Sequence, residues 1–228
     1  FEKHETLFCI LLIVLYVLVN AFCVENFGTT DLRCALINTG FSLLLLLLMW
    51  RLGRLTFYGL AKPKNPRGFL YFLPLPVLIS VNLWGGIQIV NTPTEILFHS
   101  ITMLNIGFLE EIIFRGFLFR MMEKDNVKSA MAVSAITFGM GHIMNLFLGA
   151  DLLATVLQIV SAVAIGYLFV LIFRKSGSLI PCIITHSLIN TLSVFSSDSR
   201  VFLFVASGAF LVIPLAYAGY IHRKTPPS

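Results

Sequence analysis

The sequence predicts an all-α polytopic membrane protein with about eight transmembrane helices. Hydrophobic residues make up 57% of the 228-residue chain and charged residues 12%, against about 25% charged in an ordinary soluble domain. Mean hydropathy is +0.90. Apolar runs of the roughly 20 residues that a bilayer core demands recur from one end of the chain to the other.

The runs are 7–24, 32–50, 68–90, 94–119, 127–147, 152–173, 178–196 and 201–221. Turn and charge signals separate them, among them Asn26-Phe27-Gly28, Lys62-Pro63-Lys64, Asn91-Thr92-Pro93, Lys124-Asp125-Asn126 and Lys175-Ser176-Gly177. Backbone groups in lipid must be satisfied within the segment, so each run is read as a helix. Pro74, Pro76 and Pro214 fall inside runs and are tolerated there as kinks. The first run is read as a retained span, because Glu2-Lys3-His4-Glu5 is a poor signal-peptide head and no cleavage site follows. The whole of 1–228 reads as a single membrane domain. No internal repeat is evident, so a transporter built from inverted halves gains no support.

Lys and Arg set the orientation. With both termini cytoplasmic, 13 of the 16 Lys and Arg residues fall in inner segments, Arg33 and Arg200 fall in outer ones, and Arg115 lies within the fourth span. That bias fits the positive-inside rule. The net charge of +5 therefore reports topology and not nucleic-acid binding. The expected location is an integral membrane one, the plasma membrane if the source is bacterial. Cys9, Cys23, Cys34 and Cys182 sit in or beside apolar runs with no CxxC pair and read as small buried side chains, with a Cys23–Cys34 bridge across the first outer loop as the lesser alternative.

Charge within a span costs ~2.5–3.5 kcal/mol per group on insertion scales. One stretch ignores that cost: Leu109-Glu110-Glu111-Ile112-Ile113-Phe114-Arg115. Glu111 and Arg115 are four apart with the carboxylate first, the favourable order for a helical ion pair. Glu110 points ~100° away from Glu111, so the two need not face one partner. A buried ion pair alone explains Glu111 and Arg115 and leaves Glu110 without a role. Two histidines lie deep in other runs, His142 after Phe138-Gly139-Met140-Gly141, and His186 four residues before Asn190 on the same face. Gly139 and Gly141 would let another helix approach His142 closely. Counted from the inner ends, Glu110 and His186 fall in the inner half of the bilayer and His142 further out. His99, eleven residues before Glu110, reads as an outer-interface residue. Asn82 and Gln88 read as structural hydrogen-bonders that could line a cavity.

Glu110-Glu111-x-x-x-Arg115, Phe138-x-x-x-His142 and His186-x-x-x-Asn190, in that order over about 95–195, resemble the CPBP family: the CAAX prenyl endopeptidases and the bacteriocin-processing, Abi-type proteins. Gly177-Ser178-Leu179-Ile180 before His186 is also similar to the family's pattern. The resemblance implies an intramembrane peptidase with a cavity open toward the cytosol. It implies that Glu110 and His142 activate water, that Glu111 supports the site and pairs with Arg115, and that His186 and Asn190 stabilise the oxyanion. The chemistry of the residue types agrees. Hydrolysis needs a base and oxyanion donors, and no Ser-His-Asp set or Cys-His pair is evident. Zn²⁺ on Glu110, His142 and His186 is the rival to a metal-free glutamate, although no HExxH spacing is present. Two glutamates and one arginine leave an excess negative charge that either a cation or a proton held on one Glu must balance. Expected partners are membrane lipids and a membrane-associated peptide or prenylated protein. Two rival readings are a non-catalytic immunity or signalling partner on the same fold and a proton-coupled transporter.

Overall fold

A computed structural model describes residues 4–64 and 71–224. The described chain is all-α, with no strand among the described residues. The helices are α1 (Glu5–Phe27), α2 (Leu32–Arg51), α3 (Pro74–Ser80), α4 (Pro93–Glu111), α5 (Val127–Gly141), α6 (Leu152–Ser176), α7 (Ile180–Leu192) and α8 (Arg200–Lys224). α3 and α7 each run on into a 3₁₀ turn, Val81–Leu83 and Ser193–Phe195. α4 continues as a π-helix over Ile112–Phe119 and ends at Met122.

Local sequence explains the boundaries. Thr92 caps α4 and forms a capping box with Glu95, and Pro93 takes the first helical position, where its missing N–H is not needed. The side chains of Asp31, Asn126 and Asp151 cap α2, α5 and α6 in the same way. Gly177 ends α6 in the left-handed conformation at φ 71°, open to glycine at little cost. On α1 only Cys9, Leu12, Tyr16 and Cys23 are buried, a stripe at helical spacing. Leu7, Ile10, Leu11, Val14, Leu15 and Leu18 face outward with about half their surface exposed, as suits lipid.

Among the described residues six helices are long and apolar enough to cross a membrane: Glu5–Phe27, Leu32–Arg51, Pro93–Met122, Val127–Phe147, Leu152–Ser176 and Arg200–Lys224. The third and seventh apolar runs form shorter helices, Pro74–Leu83 and Ile180–Phe195. The departure is large only in the third run. Its residues 68–70 lie outside the described residues, and its helix stops at Leu83 where a helix to 90 was expected. Trp84-Gly85-Gly86 is the cause. Gly86 adopts φ 91°, and Gly85 lies so close to Phe202 that a Cβ there would come within 2.6 Å of its ring. The chain then runs extended, and the Gln88 N–H donates to the Phe195 carbonyl. Ile87, Ile89 and Val90 are exposed, and backbone so exposed is not tolerated within hydrocarbon, which places this segment at the membrane surface.

The two ends of the bundle differ in charge. One end gathers the chain start, the Arg120–Asn126 turn and the end of α6: Lys124 Nζ donates to Glu5 Oε2 at 2.6 Å, and the Lys64 N–H donates to the Ser176 carbonyl. The other gathers the α1–α2 turn and the starts of α4 and α8, with Thr29 Oγ1 3.1 Å from His99 Nδ1. The four cysteines are free and buried, so Cys23 and Cys34 are thiols and not a bridge.

Candidate active site

Glu110 and Glu111 are the last two residues before α4 loosens into the π-helix, all of whose residues are buried. Such segments are rare and recur at functional sites, because a wider turn re-aims side chains. Glu111 and Arg115 are fully buried and paired, with Arg115 Nη1 donating to Glu111 Oε1 at 3.1 Å. The guanidinium lies 4.2 Å from the centre of the Phe138 ring on α5. On α6, Gly166 makes room for it: a Cβ there would stand 2.7 Å from Arg115 Nη2. Three helices thus hold one cation in place.

His186 on α7 bridges the two glutamates. Its Nδ1 is 2.8 Å from Glu111 Oε1, and its Nε2 is 3.3 Å from Glu110 Oε2. The ~100° between successive helical residues did not require a shared partner, and the breadth of an imidazole with a nitrogen on each side supplies one. Glu111 Oε1 thus meets both Arg115 Nη1 and His186 Nδ1, and Nε2 on the far side of the ring faces Glu110. Phe138 packs edge-on against both histidines, with ring centres 5.4 Å from His186 and 5.5 Å from His142.

The other oxygen of Glu110 meets a residue that the motif reasoning passed over. Tyr16 on α1 donates its hydroxyl to Glu110 Oε1 at 2.7 Å, and Asn20 Nδ2 donates in turn to the Tyr16 oxygen at 3.3 Å. Tyr16 and Asn20, four apart and polar in an otherwise apolar run, are the signal that would have found them.

Glu110 and His142 open onto one cavity of about 70 Å³, lined further by Tyr16, Asn20, Phe138 and Asn145. That volume holds a few waters. His142 follows the last residue of α5, in the turn that leads to Met144–Phe147. Gly139 packs against Val163 and Ile159 of α6, as a close helix approach requires, whereas nothing lies within 4 Å of a Cβ at Gly141, which lines the cavity instead. Asn190 is one turn beyond His186 and does not line the cavity; its carbonyl lies 3.3 Å from His99 Nε2. His99 is accordingly tied between the α1–α2 turn and α7. Asn82 donates to the Ile189 carbonyl at 2.7 Å, a structural bond between α3 and α7, and Gln88 is exposed.

Zinc shared by Glu110, His142 and His186 does not fit this arrangement. Both ring nitrogens of His186 already face carboxylates, and among the described residues no three His, Cys, Asp or Glu side chains are grouped as a donor set.

Residues 92–192 match the family described as Type II CAAX prenyl endopeptidase Rce1-like. No curated protein and no solved structure matches the chain. The matched segment runs from the cap of α4 to the end of α7 and contains every motif residue, but not Tyr16.

Proposed function

We propose, from the premise that residues 92–192 form a CPBP-type, Rce1-like core, that this membrane protein is an intramembrane endopeptidase in which Glu110 activates water. One observation carries the reading: Glu110 is held by Tyr16 and His186 at the wall of a small cavity that it shares with His142. A carboxylate fixed at both oxygens beside confined water is a general base with its geometry set in advance.

In the proposed cycle, water in the cavity gives a proton to Glu110 as its oxygen bonds to the scissile carbonyl carbon. Among the cavity-lining groups, His142, Asn20 and Asn145 carry donors able to face the oxygen that gains charge. Glu110 then passes its proton to the departing amine as the C–N bond breaks. His186, Glu111 and Arg115 act as positioning residues, since they touch Glu110 or one another and do not line the cavity. The substrate is a peptide bond in a membrane-held peptide, lipidated or amphipathic, and both termini of the enzyme are cytoplasmic.

The test is proteomic. Membranes containing the wild type and the Glu110→Gln variant are compared for released peptides, with thermal unfolding in detergent as the folding control. Cleavage retained in a folded Glu110→Gln protein contradicts the assignment. Chelation separates the glutamate scheme from zinc hydrolysis: the proposed cycle predicts unchanged cleavage in a strong chelator, and loss restored by Zn²⁺ would replace it.

A further inference from the structure

The cavity has a direction. On α1 its lining runs from Tyr16 through Val17, Asn20 and Ala21 to Val24, away from Glu5. Beyond α5 it runs from Phe138 through His142 and Asn145 to Leu148, away from Val127. Burial falls in the same direction. Glu110 is 8% exposed and Tyr16 3%, whereas His142, Asn145, Leu148 and Val24 are all partly exposed. In the opposite direction the way is blocked, since Phe114, Phe117, Phe119, Phe169 and Phe173 are each 0–2% exposed.

Charge identifies the two faces. The blocked end carries Arg51, Arg54, Lys62, Lys64, Arg120, Lys124, Lys128, Arg174, Lys175, Arg223 and Lys224 against Glu5, Glu123 and Asp125 among the described residues. The open end carries Glu25, Asp31, Glu95, Asp151 and Asp198 against Arg33 and Arg200. The positive-inside rule puts the blocked end in the cytoplasm. We infer that the site is entered from the non-cytoplasmic face, so that its substrate is an extracytoplasmic segment of a membrane-held peptide. This rests on the endopeptidase reading for the word substrate, and on geometry and charge alone for the entrance. It is the reverse of the cytosolic opening that the family resemblance implied.

Thiol labelling tests the entrance without any activity. The native cysteines are at most 1% exposed, so a cysteine introduced elsewhere is the reactive one. His142→Cys places a thiol in the cavity and Lys175→Cys one at the blocked end; Leu148→Cys serves if the histidine variant does not fold. Expressed in bacterial inner membranes and treated with a small, charged, membrane-impermeant methanethiosulfonate, His142→Cys should react in intact spheroplasts, and Lys175→Cys only after permeabilisation. Reaction of the cavity thiol only after permeabilisation overturns the inference, and so does no reaction from either side, which would mean a cavity closed to water or open only to lipid. Labelling as expected, with no peptide released by the wild type, would leave the entrance standing and reject the peptidase.

Discussion

The basic half and the acidic half of this molecule are packed by different rules. The basic half is filled with large rings, and Phe114, Phe117, Phe119, Phe169, Phe173 and Tyr58 are all essentially buried. What is buried toward the acidic end is mostly small or polar: Cys23, Cys34, Ala35, Asn38, His99, Thr102, Thr155 and Ser161. In lipid, helix association gains little from the hydrophobic effect and depends on close packing and hydrogen bonds. Rings that interdigitate make a rigid floor. Small and polar residues leave room for water and for a substrate. The glutamates lie where the two regimes meet, with Glu111 and Arg115 set into the floor and Glu110 on the cavity wall above it.

Variants can break this contrast. The largest effect expected is on catalysis, at the boundary itself: Glu110→Gln should lower cleavage by about 10³-fold or more, measured as released peptide, with the unfolding temperature nearly unchanged. In the floor, Arg115→Leu should cost ~3–5 kcal/mol of stability by leaving the buried Glu111 carboxylate without its guanidinium, read by thermal or denaturant unfolding in detergent. The double change Glu111→Leu with Arg115→Leu should regain most of that stability, because Glu111 Oε2, Arg115 Nε and Arg115 Nη2 make no hydrogen bond, while cleavage stays lost for want of a fixed His186. Phe173→Ala, which opens a void beside Phe119, should cost about 3–5 kcal/mol. At the acidic side Gly141→Ala should cost almost nothing, since no atom lies within 4 Å of the added methyl. The smallest stability change that still reports on mechanism is Tyr16→Phe, at about 1 kcal/mol, with a fall in kcat of about tenfold at constant KM.

The charged pair was legible in the sequence because lipid makes charge expensive. A Glu and an Arg four apart in an apolar run admit few arrangements, and the ion pair is the one found. The order of the three motifs placed the fourth, fifth and seventh runs against one another, and Phe138, His142 and His186 do meet. The third run misled because hydropathy counts apolar residues and not backbone conformation, so Ile87-Gln88-Ile89-Val90 read as span although Gly85 and Gly86 had already ended the helix. Tyr16 stayed hidden for a related reason: a phenol is apolar enough to pass in a hydropathy window, and its partner lies 94 residues away. The direction of the cavity is a property of packing in three dimensions, which no motif encodes.

The central claim is that Glu110, in the cavity it shares with His142, breaks peptide bonds. Purified wild-type protein and Glu110→Gln, reconstituted side by side in liposomes with a membrane-peptide extract, provide its most direct test. New peptide N-termini should appear with the wild type and be absent with the variant. Equal numbers from both, with both proteins folded, would contradict it.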